Sequence, residues 1–82
     1  MKYKKYKVTF LDPTGNSEWH TEEEVQEFVP EECVIEAYVY SKDKEYIKTF
    51  ASYSINQETG VMTYGDVNVL PMSCVKTIKA IR

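Results

Sequence analysis

The stretch Trp19-His20-Thr21-Glu22-Glu23-Glu24-Val25-Gln26-Glu27-Phe28-Val29-Pro30 decides the fold class, because it reads as a helix in a chain that otherwise reads as strands. Thr21 is an N-cap residue and Glu24 stands three positions on, the spacing of a capping box. Glu22, Glu23 and Glu24 set negative charge on the positive end of the helix dipole. Pro30 biases Val29 toward extended backbone and stops the run. Val25, Phe28 and Val29 recur at i, i+3 and i+4, which makes one narrow apolar face. A helix of about two turns is not stable alone. The reading therefore predicts that it lies against a sheet, with Trp19 packed under it.

On the N-terminal side, Tyr6, Val8 and Phe10 alternate with Lys5, Lys7, Thr9 and Leu11, the period of a half-buried strand. Asp12-Pro13-Thr14-Gly15-Asn16-Ser17 is turn chemistry and ends that strand near Leu11 or Asp12. On the C-terminal side, residues 33–41 are rich in β-favouring side chains. There Ile35, Ala37 and Val39 share one face, and Val34, Glu36, Tyr38 and Tyr40 the other. Lys42-Asp43-Lys44 is a short connection, and residues 45–55 return as one long strand, giving a hairpin. Asn56 to Gly60 is a turn before a strand at Val61 to Tyr64, which Gly65-Asp66 breaks. Val67 and Val69 start another strand, which Leu70-Pro71 stops because proline donates no ladder hydrogen bond. Residues 75–81 read as a last strand, although Val75, Ile78 and Ile81 also fit a helical turn.

The order is thus β, α, β, β, β, β: an α+β chain, mainly β, with one short helix after the first strand. The simplest closed form is a small SH3-like or Sm-like antiparallel β-barrel, with a rolled sheet covered by the helix as the alternative. At 82 residues the chain reads as a single small β domain, residues 1–82. Its hydrophobic content of 43%, with seven Tyr, three Phe and one Trp, separates it from disordered chains. No apolar run approaches the roughly 18 residues of a membrane span, and no secretory leader is visible. The expected location is the cytoplasm, where Cys33 and Cys74 are reduced thiols.

The net charge of -3 is unevenly spread. Lys2, Lys4, Lys5 and Lys7 fall within the first seven residues, whereas Glu18 to Glu36 holds eight Glu and no Lys or Arg. There is no basic stripe of the kind that neutralises many phosphates, so direct sequence-specific nucleic-acid binding is not expected. Two Cys and one His, far apart, lack zinc-ligand spacing, and no cofactor is expected. His20 reads as a helix-flanking residue rather than as the base of a nucleophile pair. The glutamate runs read as a solvated face. No enzymatic activity is expected.

The strand-turn-Trp-helix opening, Pro30 to Cys33 leading into the second strand, Ser52-Tyr53, Gly65-Asp66 and Leu70-Pro71 followed by Val75 and Ile78 resemble a diffuse group of small proteins. These are encoded by bacteriophages and prophages, and have a Trp before a Glu-rich helix and a late apolar-Pro…Ile-x-x-Ile pattern. Members often have Gly where this chain has Ala37 before Tyr38. The resemblance implies an accessory protein acting in the cytoplasm of a bacterial host. It implies no catalytic residues.

The tyrosines are the residues most open to a binding role, since exposed Tyr suits protein interfaces and base stacking. The candidate binding residues are Trp19, Tyr38, Tyr40, Tyr46, Lys48, Tyr53 and Asp66. Asp66 is included because Gly65-Asp66 could present backbone N–H groups to a ligand. The partner expected first is a host protein of defence or regulation, blocked through an aromatic sheet face and the acidic helix. Sequestration of a small nucleotide signal is the alternative, with Lys48 beside Tyr46 and Phe50, or the N-terminal lysines beside Tyr3 and Tyr6, as the cationic sites. A structural or assembly role in the phage is a second alternative. The aromatic hairpin at 33–55 is expected to support a symmetric homodimer.

Overall fold

The computed structural model describes residues 1–81. Strand β1 (Lys5–Asp12) and strand β2 (Glu31–Lys42) form its central ladder, antiparallel from Lys5↔Tyr38 at one end to Asp12↔Glu31 at the other. The alternation read in the sequence holds. Tyr6, Val8 and Phe10 stand opposite Ala37, Ile35 and Cys33 on one face. Strand β3 (Tyr46–Phe50) returns along β2, and β4 (Ser52–Ile55) with β5 (Met62–Gly65) makes a separate two-stranded hairpin. Strand β6 (Asn68–Pro71) pairs with β3, a 3-10 turn covers Met72–Cys74, and β7 (Val75–Ala80) pairs with the free side of β1. The last segment is therefore a strand, and the main sheet runs β6-β3-β2-β1-β7.

The protein is mainly β, with an antiparallel sheet and one short helix. The sheet is open and does not close into the expected barrel. Strands β6 and β7 are its two edges, joined by the 3-10 turn with no ladder between them. Strand β6 is four residues long and ends on Pro71, which has no N–H to offer a further strand. Strand β7 carries Lys76 and Lys79, charges that discourage pairing with another chain.

Residues 45–55 are not one strand. The ladder with β2 ends at Phe50, the chain bends at Ala51, and β4 pairs only with β5. Ala51 N–H donates to the Gly65 carbonyl at 3.2 Å, tying the hairpin back at its base. Gly65 leaves room there for the Ser52 hydroxyl, which a Cβ would force out of its present position. Asp66 holds the next position at φ 52 and accepts the Ser52 hydroxyl at 2.9 Å. Two other turns are made by side-chain acceptors: Asp43 Oδ1 takes the Glu45 and Tyr46 N–H groups at 2.8 and 2.9 Å, and Asn56 Oδ1 those of Glu58 and Thr59. The two turn N–H bonds, from Tyr46 first and Glu45 second, hold the Asp43 carboxyl below the usual carboxylate range.

The buried core is small: Val8, Ala37, Ile47 and Phe50, with Thr49 among them. Val8 sits between Ile35 of β2 and Ile78 of β7, so three strands meet at one side chain. Cys33 and Cys74 are both free thiols. Burial, then the nearby Glu31 and Asp12 charges, push the Cys33 thiol up. No helix among the described residues is long and apolar enough to cross a membrane.

Helix α1 (Glu22–Glu27) is present with the capping box intact, but it buries no residue and does not pack on the sheet. Trp19 is fully exposed. The expectation that the helix lies on the sheet over Trp19 is therefore corrected. Both belong to an arm, residues 13–30, that leaves the ladder between Asp12 and Glu31. The molecule measures 60 × 24 × 22 Å with a radius of gyration of 17.0 Å, against about 12 Å for a compact domain of this length.

Thr49 Oγ1 is buried without a hydrogen-bond partner. Replacing it with the isosteric Val removes that unsatisfied group. Chemical denaturation is expected to show Thr49→Val more stable by about 1 kcal/mol; an equal or lower stability would show that the hydroxyl is satisfied in solution.

Candidate functional site

Two features stand out, one at each end of the β1–β2 ladder. The first is the arm. Its helix is held locally. Glu24 N–H donates to Thr21 Oγ1 at 3.3 Å, while the Thr21 N–H and hydroxyl donate to Glu24 Oε1 at 3.4 and 3.0 Å. His20 Nδ1 pairs with Glu24 Oε2 at 3.2 Å, and the imidazole meets Phe28 edge-on with ring centres 4.8 Å apart. Asn16 Oδ1 takes the Glu18 N–H at 2.9 Å, turning the loop toward the helix. These contacts shelter His20 but leave Val25, Phe28 and Val29 more than half exposed. The hydrogen bond from His20, reinforced by those from Thr21, holds the Glu24 carboxyl below the usual carboxylate range. His20 is thus a positioning residue of the arm.

The second feature is aromatic. Tyr38 stacks on Phe50 at 5.3 Å, and Tyr40 stacks on Tyr3 at 5.5 Å. Tyr64 meets Phe50, Tyr40 and Tyr3 edge-on, and Tyr53 does the same to Tyr38. The Tyr3 and Tyr64 hydroxyls lie 3.3 Å apart. That contact first, and burial second, push the Tyr64 phenol above its usual range. The N-terminal residues and the β4–β5 hairpin therefore cover the aromatic face of the sheet. What remains open is a cleft of about 400 Å³ walled by Tyr3, Tyr53, Ile55, Met62 and Tyr64, with Lys2 on its rim. Lys2 Nζ lies 5.3 Å from the Tyr3 ring centre, and Lys5 Nζ 5.9 Å from that of Tyr38.

The candidate residues divide accordingly. The structure brings Tyr38, Tyr40 and Tyr53 into one cluster and places Trp19 alone on the arm. Tyr46 and Lys48 are exposed on β3 away from the cleft, and Phe50 beside them is buried, so that proposed cationic stacking site is not formed. Asp66 is committed to Ser52 and serves the hairpin base. Tyr6 faces the core side opposite Ala37 and Ala80 rather than a ligand site. Tyr3 was named only beside the N-terminal lysines, and Tyr64, Ile55 and Met62 were not among the candidate binding residues. Their meeting depends on a contact between the N-terminus and a hairpin some sixty residues away, which no local pattern reports. Within 33–55, β2 and β3 are interior strands of the main sheet and offer no edge for dimer pairing, whereas β4 pairs only with β5 and keeps one free side.

Among the described residues, no group of three or more His, Cys, Asp or Glu is placed to hold a metal ion. Comparison of the chain with family models, with characterised proteins and with solved structures returned no match.

Two outcomes follow from the arm. Trp19→Ala is expected to leave global stability within about 0.5 kcal/mol of wild type, and Thr21→Ala to loosen only residues 22–27. Thermal melting and amide hydrogen exchange read these, and a large drop in melting temperature for Trp19→Ala would restore Trp19 to the core. The second outcome concerns pH. Because Glu24's carboxyl is depressed in the folded arm, its capping contribution is present above the ordinary glutamate pKa and is lost as pH falls through the lowered value. An NMR carboxyl titration is expected to show His20→Ala moving Glu24 back toward the ordinary range; an unmoved titration would break the assignment.

Proposed function

We propose that this chain is a non-catalytic binding protein that engages a partner protein through its acidic arm and masks the surface it occupies. One observation carries the reading: Trp19 is 100% exposed on an arm whose other apolar side chains are also unburied. Exposed apolar side chains grouped on one segment mark interaction sites, and tryptophan is among the residue types most enriched at interface hot spots. The five glutamates of the arm, Glu18, Glu22, Glu23, Glu24 and Glu27, surround it with charge that steers the encounter toward a basic surface. The partner is then a protein with an apolar groove rimmed by Lys or Arg. The resemblance to small phage-encoded proteins supports a host protein of defence or regulation as the target, met in the bacterial cytoplasm.

A second reading rests on the cleft, where Lys2 beside tyrosine rings would suit a small nucleotide. A paired experiment separates the two. Immobilised wild type and Trp19→Ala are exposed to bacterial lysate, and the purified protein is screened by thermal shift with cyclic and linear nucleotides. The expected result is a protein retained by wild type, lost with Trp19→Ala and released by salt, with no nucleotide shift. Capture indifferent to Trp19 would overturn the arm reading, and a nucleotide shift abolished by Lys2→Ala would put the cleft in its place.

A further inference from the structure

We infer that the tyrosine cleft is a receptor for the acidic arm of a second copy of this chain, so that copies join head to tail. This rests on the reading of the arm as a protein contact, and identifies one partner for it.

Three observations lead there. The first is position. The arm leaves the ladder at the Asp12↔Glu31 pair, and the cleft lies beyond the Lys5↔Tyr38 pair at the opposite end. Eight paired residues separate them by about 24 Å of extended strand, within a molecule 60 Å long. A rigid ladder keeps the arm out of its own cleft, so the two meet only between copies.

The second is charge. Residues 13–30 carry five Glu and no Lys or Arg, while residues 1–11 carry Lys2, Lys4, Lys5 and Lys7 and no acidic residue. Lys2, Lys4 and Lys5 are exposed, as are all five glutamates of the arm. Glu58, in the turn of the β4–β5 hairpin, is the single acidic residue of residues 52–65, and no acidic residue lines the cleft. The chain is therefore a dipole along its long axis, and two copies in line present opposite charges to each other.

The third is shape and chemistry. The arm offers Trp19 and Phe28, and the cleft offers Tyr3, Tyr53, Tyr64, Ile55 and Met62. A cleft of about 400 Å³ is of the size that accepts small-molecule groups, ample for an indole. Aromatic edges and a thioether are favourable neighbours for that ring. At the main sheet strand-edge pairing is discouraged by Pro71 on β6 and the lysines of β7, which leaves the two short strands of the β4–β5 hairpin as the remaining free edges. Copies placed in line each make the arm-to-cleft contact once and propagate into a ring or a filament, whereas a reciprocal exchange of arms would close as a two-fold dimer; a wild type that stops at the dimer overturns the head-to-tail arrangement.

Sedimentation velocity of the full chain tests this. Mass is expected to rise with concentration past the dimer at low salt, and to fall with added salt as the exposed charges are screened. Trp19→Asp removes the arm contact and Ile55→Asp the cleft contact. Both positions are exposed, and circular dichroism verifies that each variant folds. Each is expected to be monomeric alone, whereas a mixture forms a heterodimer and stops there, because only one intact arm-cleft pair remains. Trp19→Ala is expected to weaken association by about thirtyfold, the effect of losing a buried aromatic anchor. As a check independent of folding in the hairpin, Lys2→Glu weakens association and Glu23→Lys in the partner copy recovers part of it. A wild type that stays monomeric at low salt, a single variant that still assembles, or a mixture that remains two monomers would overturn the proposal. Monomeric wild type with Trp19-dependent capture of another protein overturns the self-contact alone; an inert Trp19 in both assays overturns the arm reading with it.

Discussion

The rest of the molecule depends on the β1–β2 ladder. Its paired residues place Val8 opposite Ile35, and the free side of β1 adds Ile78, so the one fully buried valine is the point where three strands meet. The same ladder sets where the arm and the cleft stand. Because the strands are antiparallel and in register from Lys5↔Tyr38 to Asp12↔Glu31, the connection between them must emerge at one end and the N-terminal residues at the other. The acidic arm and the lysine-rimmed cleft are held apart by the element that holds the core together.

The core is too small to hold everything the chain contains. Four hydrophobic residues are buried, while Trp19, Val25, Phe28 and Val29 lie open to solvent. The helix survives as a local structure because the Thr21 hydroxyl accepts the Glu24 N–H, its first turn is acidic, and His20 ties Glu24 to Phe28. Such contacts order a short segment without coupling it to the sheet. An arm of that kind keeps its apolar side chains available, which a helix packed on the sheet would not.

Local chemistry was legible in the sequence and long-range packing was not. The alternation in β1 and β2, the capping box at Thr21 and Glu24, and the turns at Asp43 and Asn56 all depend on residues within a few positions of each other. The placement of the helix did not follow. An i, i+3, i+4 stripe of Val25, Phe28 and Val29 says which face is apolar, not that the chain will bury it. The break at Ala51 was equally hidden, because alternating β-favouring residues on both sides read as one strand. The aromatic cluster was half legible. The tyrosines of the strands were recognised by exposure arguments, whereas the meeting of Tyr3 with Tyr40 and Tyr64 depends on the N-terminal residues folding over the β4–β5 hairpin.

The central claim is that the arm projects its tryptophan into water instead of contributing it to the core. Trp19 is the only tryptophan in the chain, so intrinsic indole fluorescence reports on this residue alone. In dilute solution the account predicts emission typical of a fully hydrated indole, quenched freely by acrylamide and unshifted when urea unfolds the sheet. Blue-shifted emission that resists acrylamide and moves to the red on unfolding would contradict it.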